Sequence, residues 1–486
     1  MPADPRDAFN WNRRGAPQVR HSHAFLARLR NLLRDRHPDV LSRLLAAGAT
    51  EMDFIEMLPE GMDHTRQPGD SELVALACRR TTFEWVLRSV AVGEQAVDFR
   101  HGAGVTGLRV DGSDVAGSDA DGSAIAGPEG AGSGSVPRVV GVELEDGSVV
   151  DGDMVVLAGG RRMSVPSLLS PIGVTIPEEV EDTGIVYLSR FFVLADGKDY
   201  PAQVGPVGGD LGYLKYAVFS GDNRTFSVTF AVGTDDTQLR RQLVDPEAFI
   251  RVAAALPATQ AFVEPGRAHA ITEVEVMGGL LNRRYTYLDA DGAPLVLGLH
   301  GVGDAHTCTN PLYGRGCSLG MVQAQSLVDT ISELGLDHAE RSRAYEAASD
   351  AEITPWYRAS VAQDRMSRQA AASAAGTADQ IPEVADPAPI VGTNGNEASE
   401  TAADVTSAEF MRSLLRDGLF PAMRVDPVVL RAFLRMFNLL EPPDSLMTNM
   451  EVIGRVMTVY QDRENRAPEP SLGPDREGLI AQAALA

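Results

Sequence analysis

Between His23 and Ala46 apolar residues return every three or four positions (AFLARLRNLLRDRHPDVLSRLL), the period of a helix that buries one face. Pro38 predicts a break within it. Residues 73–91 (LVALACRRTTFEWVLRSVA) read in the same way and predict another helix. The period then shortens. Gln95–Phe99, Gly104–Val110 and Val139–Leu144 predict strands. The last two flank GSDVAGSDADGSAIAGPEGAGSGS (112–135), which has almost no large apolar residue and predicts a disordered hairpin insertion. Glu145-Asp146-Gly147-Ser148 predicts a turn, and Met154–Ala158 a buried strand ending at Gly159-Gly160. Strand-like alternation fills 182–233 and 269–287 and predicts a block of antiparallel sheet, with a helix over 237–254. Helical patterns occupy 315–335 and 338–373. Residues 374–405 are poor in bulky side chains and predict a linker. A helical tail follows over 407–465, with an apolar stripe at 430–440 expected to pack the tail together, a lid over a hydrophobic ligand being the alternative.

Composition narrows the classes of function. The chain has 486 residues, enough for two or three domains. Its 43 basic and 67 acidic residues give a formal charge of −24, a field that repels nucleic acid and anionic membrane. No run of about 18 apolar residues occurs, so no membrane span is expected. The N-terminus has no apolar core of a signal peptide. Three cysteines (Cys78, Cys308, Cys317) form no C-x-x-C pair. That argues for reduced thiols and a cytoplasmic location rather than disulfides or structural zinc. His21 and His23 form an H-x-H pair with no third ligand at a sensible spacing, so no metal is expected. Cys308 and Cys317 are expected to be small buried residues, and Asn282-Arg283-Arg284-Tyr285, at the end of a strand, a solvated turn, with a substrate-pocket Arg as the alternative.

The chemistry concentrates in residues 295–320, LVLGLHGVGDAHTCTNPLYGRGCSLG. An apolar strand runs into Gly303-Asp304, and glycines 314 and 316 open a helix. A carboxylate at the carboxyl edge of an α/β sheet accepts hydrogen bonds from hydroxyls. Glycines at a helix start let a ligand approach free N–H groups at the positive dipole end.

The run GDAHTCTNPLYGRGCSLGMVQAQSL resembles the Gly-Asp motif of FAD-dependent monooxygenases of the p-hydroxybenzoate hydroxylase type. The variant it resembles has the form G-D-A-x-x-x-x-N-P-x-Y-G-x-G-x-S. The resemblance implies that Asp304 binds the ribityl chain of FAD. It also implies that Pro311, Gly314 and Gly316 lie at the pyrimidine end of the flavin ring. APQVRHSHAFLARLRNLL resembles the family segment in which Pro-Gln-x-x-His-x-His precedes a helix. CRRTTFEWVLRSV resembles its Arg-x-x-(Leu/Phe)-Glu helix, which implies that Arg80 approaches the FAD phosphates. VVLAGGRRMSVPSLL resembles the strand and turn Asp-Ala-Ser-Gly-Arg-x-Ser, with Leu157, Gly159 and Met163 in place of Asp and the two Ser. GIVYLSRFF resembles a strand opening the family's substrate domain. The resemblance spans roughly residues 10–340.

The family begins with a strand, a G-x-G-x-x-G loop and a helix that cradle the FAD pyrophosphate. No such motif followed by a helix occurs in the first 100 residues. The expectation is that an N-terminal βαβ unit is missing, through a start site assigned too late or a real truncation. The implied fold class is α/β. A Rossmann-like FAD-binding domain (1–170) holds the insertion at 112–135. An antiparallel substrate domain (171–290) follows, then the return of the FAD-binding domain with its helices (291–373). A linker (374–406) and helical tail (407–486) complete the chain. The implied activity is a monooxygenase hydroxylating an aromatic or polyketide-like small molecule with FAD, NAD(P)H as co-substrate, and oxygen. No catalytic acid or base is assigned. A flavin-dependent reductase of the geranylgeranyl reductase type and a non-catalytic remnant are the alternatives. A halogenase is discounted because Trp11, Trp85 and Trp356 lie in no W-x-W-x-I-P context.

Overall fold

The computed structural model describes residues 1–112, 136–202, 208–374, 410–465 and 470–485, apart from positions 12, 14, 412 and 463. The predicted insertion and linker lie outside the described residues. The architecture is mixed α/β with a helical C-terminal region, as the pattern predicts. Two compact units divide it. One holds Met1–Val19, Phe83–Thr183 and Leu280–Val361, and the other Arg20–Thr82, Gly184–Gly279 and Ala362–Ala486. These bounds differ from those read off the pattern. Arg20–Thr82 packs in the unit of the large antiparallel sheet, and strands Glu178–Asp182 and Leu281–Tyr285 pack in the other unit.

The second unit is built on Ile185–Leu194, Thr225–Gly233 and Leu214–Ser220, paired antiparallel, with short strands at both margins. Alternation sorts the faces. Phe226, Val228, Phe230 and Val232 enter one core with Leu188, Phe192 and Leu214. Helices Thr237–Leu243, Pro246–Ala255 and Arg476–Ala483 cover that face through Leu239, Phe249, Val252 and Leu479. Phe230 and Phe249 meet at 4.5 Å between ring centres. Burying each such ring contributes about 2–3 kcal/mol. Asp236 and Asp245 start the first two helices by accepting from the backbone N–H of Leu239 and Ala248.

On the opposite face Ser189 hydrogen-bonds to Thr229 and His21, and Ser22 to Ser227 and Thr229. Helices Ala27–Arg36 and Pro38–Ala46 occur as predicted, with Pro38 in the first helical position. The stripe at 430–440 packs as expected. Leu430, Leu434 and Leu440 lie against Ile55, Leu58 and Leu73, and Phe433 and Met436 against the tail core.

Two elements before residue 100 differ from the pattern. Val74–Ala77 is a strand paired with Thr50–Asp53, and the helix begins only at Arg80. A short run buried throughout has no period, so it reads equally as helix or strand. Gln95–Phe99 is an exposed irregular segment rather than a strand.

In the first unit Val105–Val110, Val139–Leu144 and Val149–Asp151 form an antiparallel meander, its second turn at 145–148 with Gly147 at φ +79°. Val155–Leu157 pairs in parallel with Leu299–Gly301. Only Leu157 of the former is buried; Val156 is 41% exposed, where a buried strand was expected. Among the described residues this parallel sheet stays two-stranded, so one face of its edge strand meets solvent. Asn282-Arg283-Arg284-Tyr285 is not a solvated turn. It lies in the middle strand of a three-stranded sheet, where buried Arg284 pairs with Glu179 (2.8 Å) and Asp350 (2.6 Å). Charged residues in a strand read as surface until their partners, distant in sequence, are seen.

Candidate functional site

Strand Leu299–Gly301 is buried throughout and leads into a tight turn, Gly303–Ala305. Gly303 takes φ +62°, a conformation that favours glycine. Three side chains hold this turn by its backbone. Tyr345 Oη donates to the carbonyl of Gly301 (2.6 Å), and Tyr287 Oη to that of Ala305 (3.2 Å). The N–H of Gly303 donates to Gln323 Oε1 (2.8 Å). The turn presents Asp304, whose carboxylate is about one quarter exposed and lies 3.6 Å from Arg161 Nε. Arg283 donates to the Arg161 carbonyl at 3.1 Å.

Electrostatics beneath the turn keep Cys308 and His300 uncharged. Burial, and then the charge of Asp304, push the Cys308 thiol up to about 12. It stays protonated and is no nucleophile. Burial, and then the nearby Arg341 charge, lower His300 to about 3. Arg341 Nε donates to His300 Nε2 (3.3 Å), so the imidazole is a neutral acceptor there. His306 is buried, with Nδ1 at 2.8 Å from Thr307 Oγ1 and Nε2 at 3.2 Å from Glu346 Oε1.

The following loop is set by asparagines. The Asn310 N–H donates to Asn282 Oδ1 (2.8 Å), and Asn310 Oδ1 accepts from the Leu312 N–H (3.0 Å). That caps the 3-10 turn Pro311–Tyr313, which Gly314 ends at φ +67°. Helix Gly316–Leu334 then begins without a side-chain cap. Its N-cap residue, Arg315, instead lays its guanidinium against Tyr313 (4.8 Å) and Trp356 (4.7 Å). No Arg315 side-chain hydrogen bond therefore caps the helix at its positive dipole end. A Cβ built at Gly303 or Gly316 meets nothing within 4 Å, so the backbone at both positions is open to a bound group. Gly320 lies beside Gly303, with a built Cβ 3.7 Å from the Gly303 Cα.

An acceptor carboxylate, an open glycine backbone and an uncapped helix start fit the ribityl and ring portion of a flavin. The one G-x-G-x-x-G of the chain, Gly102–Gly107, runs into strand Val105–Val110 rather than a helix, and so builds no pyrophosphate cradle. Of the residues the motifs singled out, Asp304, Pro311, Gly314 and Gly316 stand in one turn-to-helix segment of the first unit. Arg80 belongs to the second unit, half-buried at the start of helix Arg80–Gly93. Its neighbour Arg79 is the buried one, bound to Asp222. Three contributors were not singled out. Arg161 stands where the resembled Gly-Arg turn has its arginine, a signal that was available. Arg283 was hidden by the reading of its strand as a turn. Gln323 meets Gly303 across 20 residues, which no local pattern reveals.

No protein family's sequence profile matches the chain, and no curated protein matches it in sequence. Solved structures do match in fold. PqsL of Pseudomonas aeruginosa, in complex with 2-aminobenzoylacetate, aligns over 74% of this chain and 88% of its own at TM-score 0.51 and 14% identity. A mutant of PqsL aligns over 76% and 90% at TM-score 0.50 and 14% identity. OxyS anhydrotetracycline hydroxylase of Streptomyces rimosus aligns over 86% and 68%, with 17% identity and TM-score 0.47. PqsL is a probable FAD-dependent monooxygenase. The chain thus has the fold of the FAD-dependent monooxygenases of the p-hydroxybenzoate hydroxylase type.

Proposed function

We propose that the protein is an FAD-dependent oxidoreductase, a monooxygenase that hydroxylates an aromatic or polyketide-like small molecule with NAD(P)H and oxygen. The observation that carries this reading is the Asp304 turn set beside the uncapped start of helix Gly316–Leu334, with open glycine backbone at both. Bound FAD would supply the redox chemistry. Asp304 would accept from ribityl hydroxyls, and Arg161 would hold the carboxylate in place. The helix start, with Gly314 and Gly316, would stabilise negative charge on the pyrimidine side of the ring. Pro311 fixes the loop that leads there. The second unit, with its antiparallel sheet, is the proposed substrate domain, and Arg80 is the proposed phosphate contact. No side chain is assigned as acid or base. The absence of any helix long and apolar enough to span a membrane among the described residues is compatible with a cytoplasmic enzyme.

The test is a visible spectrum of the purified chain after FAD is added and removed by desalting, with Asp304→Ala beside it. Retained flavin, with affinity reduced about tenfold or more in Asp304→Ala, is expected, because hydrogen bonds to a charged acceptor contribute about 1.5–3 kcal/mol. A folded wild-type chain that retains no flavin refutes the reading. NADPH or NADH consumption with product analysis then separates oxygen insertion from double-bond reduction.

A further inference from the structure

Gln323 is 2% exposed and sits in the second turn of helix Gly316–Leu334. Its two amide atoms differ in use. Oε1 accepts from the Gly303 N–H at 2.8 Å, while Nε2 is buried with no hydrogen-bond partner among the described residues. An N–H can be met only by the oxygen, so this contact fixes which way the amide lies. A buried donor without a partner is costly, and the hydrogen bond this geometry shows is the one made by the acceptor half. The contact falls on the first residue of the turn Gly303–Ala305. Tyr345 and Tyr287 hold only its flanking carbonyls, and Gly303 has no side chain of its own to anchor.

We propose that Gln323 is a positioning residue for Asp304. It ties the left-handed Gly303 to the rigid helix, and so fixes the direction in which the next residue carries its carboxylate. Gly320, one turn earlier, lies beside Gly303, where a Cβ built on it would make an ordinary contact of 3.7 Å with the Gly303 Cα. Any role in cofactor affinity rests on the flavin reading above; the role in holding the turn does not.

The experiment compares full-length wild type, Gln323→Met and Gln323→Glu. Methionine keeps the length and removes the acceptor, whereas glutamate keeps an acceptor. Hydrogen exchange over Val302–His306, measured without flavin, is expected to quicken about tenfold in Gln323→Met and to return to within threefold of wild type in Gln323→Glu. FAD titration by fluorescence quenching is expected to follow the same order, with circular dichroism showing all three chains folded. Unchanged exchange in Gln323→Met overturns the proposal, whatever the titration shows. Faster exchange with unchanged affinity, in a wild type that binds FAD, overturns the positioning role and leaves a local strut. A wild type that binds no FAD defeats the flavin reading, while the exchange data still decide whether Gln323 holds the turn.

Discussion

Asp222 offers a test whose size follows from its surroundings. Its side chain is fully buried and Arg79 is 6% exposed. The carboxylate accepts from the Arg79 backbone N–H (2.8 Å), Nε (3.0 Å) and Nη2 (2.7 Å), from Thr82 Oγ1 (2.9 Å) and from Asn223 Nδ2 (2.9 Å). Asp222→Asn turns one acceptor atom into a donor that faces other donors and leaves the guanidinium buried without its counter-charge. Breaking one side of such a pair costs about 3–5 kcal/mol. At a urea slope of about 2–3 kcal/mol per molar, the unfolding midpoint should fall by about 1–2 M. The pH dependence has a definite sign. Burial would raise the Asp222 carboxyl, but the hydrogen bonds and charge of Arg79 outweigh it, so the folded value lies below the ordinary 3.8. A depressed carboxyl contributes stability above the unfolded value, about 3.9, and loses it as pH falls through the folded one. The gap between wild type and variant should thus be full at pH 7 and narrow below about pH 4. Urea titrations followed by far-ultraviolet circular dichroism at both pH values are the assay. A midpoint within about 0.3 M of wild type at pH 7 would refute the reasoning, because solvent would then be satisfying Arg79.

Other outcomes follow from the first unit. His300, lowered from 6.5 to about 3, takes a proton on unfolding that the folded chain refuses, so stability falls as pH drops from 6.5 toward 3. His300→Gln should flatten that acid limb, measured as Tm at pH 7 and pH 4.5; an unchanged limb would show the imidazole is not the group responsible. At pH 8 iodoacetamide should alkylate half-buried Cys317 well before Cys308, whose thiol is buried and pushed up to about 12. Peptide mass spectrometry reads the order, and early labelling of Cys308 contradicts it. Gly298 sits at φ +70° where a Cβ would overlap the Val139 carbonyl oxygen. Gly298→Ala should therefore cost at least about 2 kcal/mol, seen as a lower Tm, and a neutral substitution would show that the two segments move apart freely.

Local periodicity determined most elements because burial of one face repeats at 3.6 or 2 residues whatever the rest of the chain does. The two N-terminal helices, the antiparallel strands around Ile185–Leu194 and Thr225–Gly233, and the long helix after Gly316 were legible in this way. So was the segment that carries Asp304, because a glycine turn between strand and helix is a local event. Where both faces are buried, as at Val74–Ala77, the period disappears and the element could not be typed. Tertiary structure alone decided which charges are partnered. Arg284, Arg79 and Gln323 look like surface residues in the sequence, yet each is buried against groups 20 to 143 residues away. It also decided that Arg20–Thr82 packs in the unit of the large sheet. The physical reason is the same in each case. Desolvated polar groups are stable only beside their complements, and which complements arrive depends on how distant segments pack, not on the residues next to them in the chain.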